Sequence, residues 1–258
     1  MNRIDATFAK LKADERKGLV AFLTVGDPDL TQSEQDIRDA LDAGVDVLEL
    51  GVPFSDPTAD GPTIQAASFR ALQAGVTLQD VLMLVGRIRE DYETPIVLFG
   101  YANLLFRYGY ELVCKDAASV GVDGMLVVDL PFEESDEIRQ HMDAQELHFI
   151  SLVAPTTSAA RQKRILKDAN GFVYYIMVTG VTGARASLAD DLKGRLTELR
   201  EATDLPVAVG FGVSSGAQAK EAAEYADAVV VGSALISAAS KGNLESLVRE
   251  IRSALDEG

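Results

Sequence analysis

The chain has 258 residues, 47% of them hydrophobic, with 40 acidic against 24 basic side chains and a formal net charge of −16. Such a surface repels nucleic acid and anionic membranes, so an anionic substrate needs a local device to hold it. No apolar stretch approaches the roughly 18 residues that span a bilayer, the start has no signal-peptide apolar region, and Cys114 is the only cysteine. That leaves no disulfide framework or thiolate cluster and makes a cytoplasmic location the default.

In chain order, the charged segment 2–11 reads as an extra N-terminal helix. Short runs rich in Val, Ile and Leu, bounded by Gly, Pro or Asp, predict strands at 19–25, 46–51, 96–99, 124–130, 147–153, 172–178, 206–210 and 227–231. Helical patterns lie between them at 31–43, 62–74, 77–91, 133–144, 187–203, 214–225 and 243–255. Continuous apolar strands alternating with helices mean a parallel sheet covered on both faces. Eight such units in this length predict an α/β fold, a single (β/α)8 TIM barrel over 1–258. A doubly wound sheet is the alternative, but it needs its glycine-rich turn after the first strand, and here such turns come late. Gly-Val-Asp recurs at 44–46 and 121–123, marking equivalent helix-to-strand turns.

Reactive side chains of a barrel project from the C-terminal ends of its strands. His141 falls in a helix and His148 at the start of a strand, so neither qualifies, and no lysine ends a strand, which removes the amine of a Schiff-base mechanism. No His, Asp and Glu group has metal-ligand spacing. The candidates left are carboxylates: Glu49, Asp56, Asp60 and Asp129. Glu49 stands inside the apolar run 46–51 and shares its parity with Val45 and Val47. If that face is the barrel interior, desolvation raises its pKa and lets it carry a proton near neutrality. The alternative is a Glu paired for structure with an Arg or a backbone amide. For Asp60, ahead of Gly61-Pro62, the alternative is an N-cap of the helix that follows.

Strands seven and eight end in Gly210-Phe211-Gly212 and Val231-Gly232-Ser233. Glycine permits close approach of backbone N–H groups to an anion, so an acidic protein can hold a phosphate with amides alone. The segment Thr179-Gly180-Val181-Thr182-Gly183-Ala184 reads as a loop able to close over substrate. Phe22, Phe54, Phe99, Tyr101, Tyr174 and Phe211, near strand ends, suit a flat aromatic ligand.

The run Leu48-Glu49-Leu50-Gly51-Val52-Pro53-Phe54-Ser55-Asp56-Pro57-Thr58-Ala59-Asp60-Gly61-Pro62-Thr63-Ile64-Gln65 resembles the signature of the tryptophan synthase α subunit family. The similarity extends along the chain through Phe22-Leu23-Thr24-Val25-Gly26-Asp27-Pro28, Asp129-Leu130-Pro131, Gly180-Val181-Thr182-Gly183 and Gly210-Phe211-Gly212. The resemblance implies a lyase that cleaves indole-3-glycerol phosphate to indole and glyceraldehyde 3-phosphate by a retro-aldol reaction, without a cofactor of its own. It implies Glu49 as the acid–base group and Asp60 as the partner of the indole N–H. Gly183, Gly212, Gly232 and Ser233 would contact phosphate. Phe22, Phe99 and Leu126 would line the indole pocket, with Tyr174 near Glu49 and Thr182 bridging the sixth loop to Asp60. It also implies a PLP-dependent β subunit as partner in an α2β2 assembly, facing Pro53, Asp56 and the segment 101–108 with Asn103. Phe99, where many relatives carry Met, and Met177, where Ser is common, depart from the family pattern. Two other readings stand beside this one: a sugar-phosphate isomerase on the same kind of barrel, and a subunit that chiefly activates its partner.

Overall fold

A computed structural model describes residues 1–176, 185–210 and 212–257, with residues 185–192 described as backbone alone. Thr182, Gly183, Phe211 and Met177 therefore lie outside the described residues.

The elements run α1 (Arg3–Ala13), β1 (Gly18–Thr24), α2 (Leu30–Asp42), β2 (Val47–Gly51), α3 (Pro62–Gln73), α4 (Leu78–Arg89), β3 (Ile96–Gly100), α5 (Ala102–Tyr108) and α6 (Tyr110–Ser119). They continue with β4 (Gly124–Val127), a 3-10 turn (Phe132–Glu134), α7 (Asp136–Asp143), β5 (His148–Phe149), β6 (Ser151–Val153), α8 (Ala159–Lys167) and β7 (Val173–Ile176). The last are α9 (Arg185–Ala202), β8 (Val207–Gly210), α10 (Gly216–Ala223), β9 (Ala228–Val231), α11 (Ser233–Ala239) and α12 (Leu244–Asp256). The strands are all parallel, in the order β5-β4-β3-β2-β1-β9-β8-β7-β6. β5 and β6 are the two halves of the predicted fifth strand, interrupted at Ile150, so the order is a ring and the architecture is a TIM barrel. One half pairs with β4 and the other with β7, and the break between them is where the strand changes neighbours.

Alternation along each strand sorts the core into layers. In β1, Leu19, Ala21 and Leu23 face outward under the helices, while Val20 faces the interior with Val47, Val97, Leu126, Ile150 and Phe172. Both faces are buried, which is why β1 reads as one unbroken apolar run. Val45 is a correction to the parity reading: it precedes β2 and packs in the outer layer, whereas Val47 is interior. The fourth strand is shorter than predicted, ending at Val127, because the chain turns at Val128-Asp129, where the Leu130 N–H bonds back to the Val127 carbonyl. α1 contributes Ile4, Phe8 and Leu11 to the interior cluster, with the Phe8 ring 5.5 Å from that of Phe172. The N-terminal helix thus closes the lower mouth of the barrel.

The repeated Gly-Val-Asp turns have a shared physical cause. Gly44 and Gly121 adopt φ of 106° and 91°. The aspartates that follow lend a side-chain oxygen to the preceding strand: Asp46 Oδ2 accepts the Leu19 N–H at 2.8 Å and Asp123 Oδ2 the Ile96 N–H at 2.8 Å. Asp227 does the same for Val207 at 2.9 Å. These bonds satisfy backbone donors at the strand starts that would otherwise be buried unpaired.

Candidate active site

The inward-facing residues at the upper ends of the strands line a cavity of about 850 Å³. Phe22 comes from β1, Glu49 from β2, Phe99 from β3 and Tyr174 from β7. Gly212, Gly232 and Ser233 line it too, Gly232 beside Phe22, and Asp60 and Gly61 join the lining from the loop after β2. The Phe22 and Phe99 rings meet edge to face, centroids 4.9 Å apart, and form an apolar wall for a flat ligand.

Glu49 is completely buried, and neither carboxyl oxygen has a hydrogen-bond partner among the described residues. The structural alternative, a Glu held by Arg or an amide, is therefore absent among them. Desolvation alone pushes its pKa up to about 8. Asp60 differs. Its carboxylate does not cap α3, whose N-cap is Gly61 with no side-chain bond. It accepts instead from the Tyr101 hydroxyl, 2.9 Å from Oδ2. Burial raises its pKa and the Tyr101 bond opposes that rise. The Tyr174 hydroxyl is held well above its usual value by burial and by the nearby charges of Glu49 and Asp60.

Two glycines serve the site by conformation or space. Gly212 adopts φ of 66°, a region costly for other residues. A Cβ on Gly210 would sit 2.8 Å from the Tyr174 hydroxyl oxygen.

Other predicted residues fall elsewhere. Leu126 is fully buried in the interior cluster against which Phe99 and Tyr174 pack, and it does not line the cavity. Tyr101 also lies outside the lining. Asp129 tethers the start of α5, accepting the Ala102 N–H at 2.7 Å. Asp56 and Asn103 are exposed, while Pro53 is buried. His148 sits on the lower rim with Nε2 3.0 Å from Asp5 Oδ1, and Cys114 is buried in α6. Sequence reasoning missed Ser214, Lys241 and Glu250, which line the outer flank of the cavity. Lys241 follows α11, a short helix unrecognised between β9 and α12, whereas Ser214 and Glu250 fall in helical segments that were predicted but carry no motif that marks a site. Among the described residues no group of His, Cys, Asp or Glu could hold a metal ion, and no helix is long and apolar enough to cross a membrane.

The profile of the tryptophan synthase alpha chain family matches residues 8–256. The tryptophan synthase alpha chain of Geobacter sp. (strain M21) is 52% identical over 236 residues, covering 92% of this chain and 88% of that one. The solved tryptophan synthase subunit alpha of Legionella pneumophila superposes with a TM-score of 0.93 at 38% identity, covering all of both chains. Tryptophan synthase from Mycobacterium tuberculosis gives 0.93 at 34% identity, covering 100% of this chain and 99% of that one. The chain belongs to the tryptophan synthase alpha chain family.

Proposed function

We propose that this chain cleaves indole-3-glycerol phosphate to indole and glyceraldehyde 3-phosphate in L-tryptophan biosynthesis, with Glu49 and Asp60 as its two working carboxylates. The observation that carries the residue assignment is the fully buried Glu49, without a hydrogen-bond partner among the described residues, lining the same cavity as a hydrogen-bonded Asp60. Their environments push the two groups toward different roles.

Glu49, protonated near neutrality, gives its proton to indole C3. The resulting carboxylate takes the proton of the glycerol hydroxyl next to the scissile bond. As that O–H is lost, the C–C bond breaks, its electron pair returns to the indole ring, and the aldehyde forms. One carboxyl thus serves both steps and ends protonated as it began. Ionised Asp60 accepts from the ring N–H and stabilises the positive charge on protonated indole. Phe22 and Phe99 hold the ring. The amides around Gly212, Gly232 and Ser233 suit the phosphate, which explains how an acidic protein binds an anion. Thr182, Gly183 and Phe211 belong to the same proposal through the family pattern.

No cofactor takes part in these steps. PLP belongs to the proposed partner, a β subunit in an α2β2 assembly, and exposed Asp56 and Asn103, with exposed Phe106 and Leu112 following Asn103 in sequence, support that docking face. A cytoplasmic, one-domain enzyme fits this reading. An isomerase would leave Asp60 without a task.

Indole release from indole-3-glycerol phosphate by wild type, Glu49→Gln and Asp60→Asn, each with and without a β subunit, tests the proposal. Release by wild type alone or with the partner, and its loss in both variants, is expected. Full turnover in Glu49→Gln sinks the assignment, and a chain that only stimulates the β reaction is the activator of the other reading.

A further inference from the structure

The hydroxyl of Tyr101 is the hub of the loop that carries Asp60. Tyr101 Oη stands 2.9 Å from Asp60 Oδ2 and 3.1 Å from the Ala59 backbone nitrogen, whose N–H donates to it. A phenol has one hydrogen. With Ala59 supplying a donor, the hydroxyl hydrogen is left for the Asp60 carboxylate, so the neighbouring amide fixes the direction of the bond. The ring itself is held: Tyr101 is 3% exposed and stacks on Phe54 with centroids 4.8 Å apart and planes inclined by 24°. Gln65 Nε2 donates to the Asp60 carbonyl at 2.9 Å and anchors the backbone from the other side. Asp60 lines the cavity and Tyr101 does not, so the tyrosine acts on the carboxylate without meeting substrate.

We propose that Tyr101 is a positioning residue for the lyase reaction, its amide-oriented hydroxyl keeping the Asp60 carboxylate ionised and in place. This rests on the reading of Asp60 as the group that faces the indole nitrogen. A hydrogen bond donated to a carboxylate favours the charged form and opposes the effect of burial. The other titratable groups facing the pair are Glu49 and Tyr174 in the cavity and Asp129 at the start of α5. None of these is a cation, and among the described residues no basic side chain pairs with Asp60. Tyr101 is thus its one side-chain donor among them.

Tyr101→Phe keeps the ring and its stacking and removes only the hydroxyl. The Asp60 carboxyl signal, identified by its disappearance in Asp60→Asn, is followed by 13C NMR titration in the whole chain without substrate, beside steady-state indole release. The expected result is a titration about one pH unit higher in Tyr101→Phe and a kcat lowered roughly tenfold, with KM within about twofold of wild type. An unmoved titration overturns the proposal even if kcat falls, because the loss then does not pass through the carboxylate. A moved titration with unchanged kcat overturns the role in the reaction. Wild-type protein that releases no indole either alone or with a β subunit overturns the lyase reading itself and with it this role, a result distinguishable from both because the titration is read without substrate.

Discussion

Phe22 stands opposite Glu49 in the register between β1 and β2, and Val97 stands opposite it on β3. In this register Glu49 has a phenylalanine and a valine as its neighbours on the two adjacent strands. Burial in these apolar surroundings, with no ion pair among the described residues, is what lifts its pKa to about 8. Asp60, lining the same cavity from the loop after β2, has a phenolic donor instead.

The first expected consequence is in the rate. Cleavage needs neutral Glu49 and ionised Asp60, so kcat should follow a bell. Its alkaline limb should fall about tenfold per pH unit above roughly 8, the value burial gives Glu49. Its acid limb should lie above the ordinary Asp value of 3.8, since burial raises Asp60. A pH series of indole release, under conditions where chemistry limits the rate, checks both; a profile flat from 5 to 10 contradicts the Glu49 assignment.

The same carboxyl sets a stability trend. Its pKa rises from the ordinary 4.5 to about 8 on folding, so between these values the folded chain holds a proton that the unfolded chain releases. Stability from this group is fully present below 4.5 and is lost as pH rises through 8, at no more than about 1.4 kcal/mol per pH unit. Glu49→Gln lacks this dependence. Denaturant unfolding of both proteins at several pH values should show the difference shifting toward the variant between about 5 and 8 and levelling beyond.

Much of the barrel was legible because β1 and its fellows are buried on both faces and read as unbroken Val, Ile and Leu. The cut at Ile150 was not legible, since it arises from which neighbour each half of the fifth strand meets and leaves no mark in composition. α5 and α11, of seven residues each, were weak signals, being short, and α6 and α8 were missed as well. Glu49 was conspicuous as a charge in an apolar run, yet its lack of a partner among the described residues depends on distant parts of the chain. Tyr101 and Asp60 are 41 positions apart, and their bond required the fold. Val45 misled because parity was extended past the start of β2.

Gly210 offers a steric test. A Cβ there would meet the Tyr174 hydroxyl oxygen at 2.8 Å and Cε1 at 3.0 Å, so the ring must move. Because Tyr174 lines the cavity, Gly210→Ala should lower kcat/KM roughly tenfold and cost about 1–3 kcal/mol of stability. Wild-type kinetics in this variant would mean that the ring's place is immaterial to the site.

Arg252 provides the converse case, a residue needed for folding and remote from the chemistry. It is 7% exposed, and its guanidinium bonds Asp46 at 2.6 Å, the Lys17 carbonyl at 2.9 Å and Asp256 at 2.8 Å. Asp46 in turn holds the Leu19 N–H at the start of β1. Removing the arginine strands a half-buried carboxylate at the lower rim, the end of the barrel away from Glu49. Arg252→Met should therefore cost about 3–5 kcal/mol in denaturant unfolding while KM stays within about twofold of wild type. Adding Asp46→Asn should cost less than the sum of the two single changes, since the second removes the charge that the first left unpaired. Additive losses would mean that the two side chains act independently and that the ion pair does not organise this rim.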